Sequence, residues 1–128
     1  MPEDNRDAQT GSPTFNQYQV QAAYTAKGLA KRTGRTDLRL CNWVMGLTGE
    51  AGEVSEHIKK VVFHGHELDK VLIAKELGDV LWYASVLCTE LQINLGLVAL
   101  HNIAKVMARY PNGFTEADSI NRTKDDET

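Results

Sequence analysis

The sequence predicts an all-α protein, a four-helix bundle core with antiparallel neighbours. Three observations carry that reading. Apolar residues recur with a helical period in four stretches. Cap-forming residues stand at the starts of those stretches, and glycine or proline punctuates their ends. No stretch of useful length alternates apolar and polar residues, and no internal repeat or low-complexity block is present.

Taken in order, residues 1–13 are polar, carry Pro, Gly, Asp and Asn, and are expected to form a flexible tail. Thr14-x-x-Gln17 has the spacing of a capping box, so the first helix starts there and runs to about Ala26 or Lys31. Residues 32–37 form a polar loop in which Asp37 can cap a second helix, from about Leu38 to Phe63. The third helix is expected over about Glu67 to Leu91. Asn94 then caps a fourth, from Leu95 to about Arg109, which Pro111-Asn112-Gly113 stops. The domain is thus placed at 14–114, with 115–128 a polar tail that frays.

At 128 residues and 42% hydrophobic content, the chain suits one domain with a core that is thin for a monomer. A net charge of −3 argues against general binding of nucleic-acid polymers. Cys41 and Cys88 lie far apart in helix-like apolar stretches and read as reduced core thiols. No apolar run approaches a membrane span, and the N-terminus lacks the apolar centre of a signal peptide. The expectation is a cytoplasmic protein with no membrane partner.

Two acidic pairs stand out, Glu50-x-x-Glu53 and Glu76-x-x-Asp79. They are symmetric about the His64–Gly65 junction. A fold-back there sets Glu50 level with Asp79 and Glu53 level with Glu76. Helical angles put Leu47, Ala51, Val54, Ile58 and Val61 on one apolar face, with Glu50 at its edge and Glu53 and His57 just beyond. Ile73, Leu77, Val80, Ala84 and Leu87 form the next apolar face, with Glu76 at its edge beside Asp79 and Tyr83. An acidic pair on one helix is usually a solvated face. These four lack basic partners at i+4, where Val54, His57, Val80 and Tyr83 stand instead. Antiparallel helices pack about 8–10 Å apart, so acids on adjoining edges can share metal.

An all-oxygen donor set suits Mg²⁺, Mn²⁺ or Ca²⁺. A di-iron centre needs Glu-x-x-His on two helices, and the chain contains none. Zinc is disfavoured because His57, His64, His66 and His101 lack ligand spacing with cysteine, and His64-Gly-His66 reads as a polar turn. Asn102, Lys105 and Arg109 align as a polar stripe on the fourth helix, either a solvated face or a set of phosphate contacts. Lys59 and Lys60 complement a helix C-terminus. There is no P-loop. Trp43, Trp82 and Tyr83 offer stacking surfaces, although core packing is the simpler role, above all for Trp82.

Gly46-Leu-Thr-Gly-Glu-Ala-Gly-Glu-Val-Ser-Glu56, Lys75-Glu-Leu-Gly-Asp-Val-Leu-Trp-Tyr83, Asn102-Ile-Ala-Lys105 and Arg109-Tyr-Pro-Asn-Gly-Phe114 together resemble the MazG-like all-α nucleoside triphosphate pyrophosphohydrolases. The opening Phe15-x-x-Tyr18-Gln19 is similar to small phage and bacterial members, and the likeness spans about residues 14–114. The resemblance implies Mg²⁺-dependent cleavage of nucleoside triphosphates between the α and β phosphates, giving a monophosphate and pyrophosphate. It implies Glu50, Glu53, Glu76 and Asp79 as metal ligands, Lys105 and Arg109 as phosphate contacts, and Asn102 and Tyr83 as substrate contacts. Mn²⁺ is an expected substitute metal. Glu53 is the expected residue that orients the attacking water.

The family pattern E-E-x-x-E is broken at Gly49, as in the dCTP pyrophosphatase-like branch, which leaves the metal count and the general base open. Narrower readings are a dUTP-, dCTP- or phosphoribosyl-ATP-specific enzyme, or a non-catalytic helical regulatory module. Apolar surface left uncovered by four helices implies a homodimer or a tetramer built from dimers, with substrate near a subunit interface.

Overall fold

A computed structural model describes residues 11–122 and is all-α, with no strand among them. Helix α1 spans Phe15–Thr33, α2 Thr36–His64, α3 Lys70–Glu90, α4 Leu95–Arg109 and α5 Glu116–Ile120. The expected N-terminal tail and the end of the chain fall partly at residues 1–10 and 123–128, outside the described residues. Among the described residues no single helix is long and apolar enough to cross a membrane.

The caps explain most boundaries. Thr14 Oγ1 accepts from the Gln17 backbone N–H at 3.1 Å, and Gln17 Oε1 accepts from the Thr14 N–H at 2.8 Å. That reciprocal pair satisfies two otherwise orphaned donors. The side chains of Asp69 and Asn94 cap α3 and α4 by accepting from Leu72 and Leu97. Helix α2 ends at Gly65, whose φ of 71° places it in the left-handed region that favours glycine.

Three boundaries differ from expectation. Helix α2 begins at Thr36, two residues early, and Asp37 sits in its first turn, paired with Arg35 at 2.6 Å. Helix α3 begins only at Lys70, because Asp69 takes the capping role. The stretch expected to fray holds α5, capped by Thr115 through the Asp118 N–H.

The longest element, α2, packs along α3, and α1 lies across both, chiefly on α3. Ala22 and Ala26 present little bulk, so α1 approaches closely over Trp43 and Val86. These four are the buried centre, with Tyr18, Trp82, Tyr83 and Leu87 packed around them. Trp43 and Trp82 meet edge to face at 6.0 Å, a favoured aromatic geometry. Trp82 donates to Thr25 Oγ1 at 2.8 Å. Both tryptophans therefore do the packing work that the sequence assigned first to Trp82. Of the two cysteines, Cys88 is half-buried and its thiol pKa is pushed up by burial. Cys41 is exposed, contrary to the core role expected, because it lies on the outward side of α2.

Helix α4 leaves α3 at a bend of 110° and packs mainly on α1. Gln19 fixes this junction. It donates to the Ile93 carbonyl and accepts from the Leu95 N–H, each at 2.8 Å. Much apolar surface stays uncovered on the single chain. On α4, Leu97, Leu100, Ile103 and Met107 are exposed, and on the predicted inner faces of α2 and α3 so are Ile58 and Leu77.

Candidate metal centre

The site is set by how closely α2 and α3 approach. A Cβ at Gly46 would overlap the ring of Tyr83, so the absence of a side chain there lets that ring lie on the α2 backbone. Tyr83 also meets Trp82 edge to face at 5.0 Å. It thus serves as the joint between the two helices just above the acids.

Below that joint, one carboxylate oxygen each from Glu50, Glu76 and Asp79 come within 4.8 Å of one another. Glu50 and Glu76 are partly buried and Asp79 is exposed. The pKa of Glu50 is raised, first by desolvation, then by a hydrogen bond to Glu76 and by the charges of Asp79, Glu76 and Glu53. The cluster therefore holds a proton more tightly than a surface glutamate does. Among the described residues, no Lys or Arg forms an ion pair with any of these acids.

Glu53 does not join this group. It is exposed, and it reaches Glu50 only through its charge. The register about His64–Gly65 is seen in Tyr83 lying on Gly46 and Arg39 meeting Glu90, and Glu53 is turned toward solvent on α2. Glu50 instead faces both acids of α3. Opposite Glu76 stands His57, its Nε2 3.6 Å from Oε1. Helical spacing signals this: residue 57 lies two turns from residue 50 with only about 20° of rotation, whereas residue 53 is turned about 60° aside. The field of Asp79 also reaches Tyr18 of α1, whose pKa is raised chiefly by burial and further by Asp79. That long-range approach has no local sequence signal.

Glu56 lies outside the cluster, as its helical angle implied. It pairs with Lys59 at 2.7 Å and Lys60 at 3.4 Å, which lower its pKa, the Lys59 hydrogen bond first. On α4, Asn102 and Lys105 are exposed and Arg109 is half-buried, its guanidinium 6.0 Å from the Tyr110 ring centroid. None of the ion pairs among the described residues joins these groups to the acids.

The residues fit a hard divalent cation. Three carboxylates converge, every donor is oxygen, and desolvation, followed by the neighbouring acids, raises the pKa of Glu50.

Comparison with known proteins agrees. The MazG nucleotide pyrophosphohydrolase domain matches residues 41–114, which include all four acids and the stripe of α4. The "Gene 37 protein" of Mycobacterium phage L5 is 34% identical over 85 residues, covering 61% of this chain and 72% of that protein. No solved structure matches. Family match, all-α fold and acid cluster together place this chain in the MazG nucleotide pyrophosphohydrolase family, whose members depend on metal.

Proposed function

We propose that the protein hydrolyses nucleoside triphosphates, ribo or deoxyribo, to a monophosphate and pyrophosphate with Mg²⁺ at the acid cluster. The observation that carries this is the convergence of Glu50, Glu76 and Asp79 without a Lys or Arg partner among the described residues. When bound, the cation supplies charge neutralisation, polarisation of phosphoryl oxygens and a water of lowered pKa. Glu50, Glu76 and Asp79 hold it. Glu53, exposed beside them, completes the ligand set from the solvent side or orients the attacking water. Tyr18 links the acids to an apolar groove of about 570 Å³ that Phe15 and Leu81 also line, which offers room and a ring face for a nucleoside.

The cations of α4 enter through assembly. A helix bent 110° away from α3, with an exposed apolar face on one side and Asn102, Lys105 and Arg109 on the other, suits a second copy of the chain. A homodimer, or a tetramer of dimers, covers that face and brings the stripe toward a neighbouring nucleotide's outer phosphates. Location in the cytoplasm, where nucleotides and Mg²⁺ coexist, belongs to the same reading.

The test is Mg²⁺-dependent pyrophosphate release from a panel of NTPs and dNTPs, with Mn²⁺ as the alternative metal. Glu76→Ala and Asp79→Ala are expected to lose at least about 100-fold in kcat/KM, in line with removal of a metal ligand. Activity unchanged in both would sink the reading. Light scattering of the full chain should give a dimer or tetramer mass; a monomer at micromolar concentration contradicts the assembly.

A further inference from the structure

Among the described residues, His57 carries the only basic side-chain nitrogen at ion-pair distance from any of the four acids, with Nε2 3.6 Å from Glu76 Oε1. Both side chains are largely withdrawn from water, at 24% and 18% exposed. A histidine on an ordinary solvated face would be open. This one stands on the same stripe of α2 as Glu50, two turns nearer the link. Its other side borders a cavity of about 160 Å³ that Lys60, His66 and Asp69 also line. The ring therefore has a carboxylate on one edge and a polar recess on another. An imidazole can donate a ring N–H to that carboxylate.

The geometry points to His57 as the positioning residue of the metal centre: its Nε2–H engages one oxygen of Glu76, so that the carboxylate stays turned toward Glu50 and Asp79. The proposal rests on reading those acids as metal ligands. At 3.6 Å the contact is longer than a formed hydrogen bond, and a modest rotation of Glu76 closes it. Groups in this role fix the orientation of a ligand and typically change metal affinity by about 10–100-fold when removed. His57 touches neither the reacting phosphorus nor the cation, and acts through Glu76 alone. Nothing in the acid pattern itself requires a histidine there, which separates this role from that of the four carboxylates.

The experiment titrates the full chain with Mg²⁺ by calorimetry and with Mn²⁺ by electron spin resonance, in the wild type, His57→Gln and His57→Phe. Gln keeps an N–H donor at similar reach, and Phe keeps the ring without the donor. The expected result is a dissociation constant raised about tenfold in His57→Phe and within about threefold of wild type in His57→Gln. The metal-free melting temperatures of the two variants should agree. Binding as tight in His57→Phe as in His57→Gln overturns the proposal. Hydrolysis is scored separately. A wild type that binds metal but releases no pyrophosphate defeats the proposed function, while the comparison of Gln with Phe still decides the role of His57.

Discussion

Midway along α2 and α3, on the link side of the Tyr83 joint, Glu50, Glu76 and Asp79 face one another with no Lys or Arg ion-paired to them among the described residues. At the end of the same helix pair away from the link, Glu90 lies 2.5 Å from the Arg39 guanidinium and accepts from the Trp43 indole at 3.3 Å. Glu50 and Glu76, like Glu90, are partly withdrawn from water by the same pair of helices. The pKa shifts of Glu50 and Glu90 run in opposite directions. Arg39, and after it the indole, pulls Glu90 below the usual range, whereas burial and neighbouring acids push Glu50 above it. A carboxylate whose partner is built into the chain holds the fold together. A cluster with no cationic Lys or Arg partner among the described residues weakens the fold until a cation arrives. The difference separates structural from functional acids on one helix pair, where their burial alone does not.

The largest effect that can break this comparison is loss of the built-in partner. Arg39→Ala leaves Glu90, whose side chain is 16% exposed, with the indole alone. The expected cost is about 2–3 kcal/mol in urea unfolding, with the Mg²⁺ dissociation constant unchanged. A matching loss of metal affinity would show that the two regions are not separate.

A smaller effect of opposite sign sharpens it. Glu50→Gln removes one of the mutually repelling charges, so the metal-free protein should melt about 2–3 °C higher at neutral pH. The sign follows from the raised folded pKa of Glu50: above it, the folded protein carries the full repulsion, and below the unfolded value the penalty is gone. The gain in Glu50→Gln should therefore shrink as pH falls through that window. A gain independent of pH would show that repulsion is not its cause. Saturating Mg²⁺ should reverse the order, making the wild type the more stable.

Local chemistry made much of this legible in the sequence. The capping box at Thr14 and Gln17, the cap at Asn94 and the stop at Gly65 each depend on residues a few positions apart, and each stands where it was read. The start of α3 moved to Lys70 because the Asp69 side chain caps it, accepting from the Leu72 N–H. Of the four expected ligands, Glu50, Glu76 and Asp79 are brought together, while Glu53 stands aside with the solvent. That distinction turned on rotation about α2, where Glu53 lies about 60° round the helix from Glu50. The approach of Tyr18 to Asp79 and the bend of α4 are tertiary in origin. Gln19 anchors that bend across more than seventy residues, beyond the reach of any local pattern.

The raised pKa of Glu50 has one more consequence. A proton and an incoming ion compete for the same carboxylate oxygens. The protein's hold on metal is thus tied to the acidity around it: loading the site acidifies the surroundings slightly, and acidifying the surroundings loosens the load.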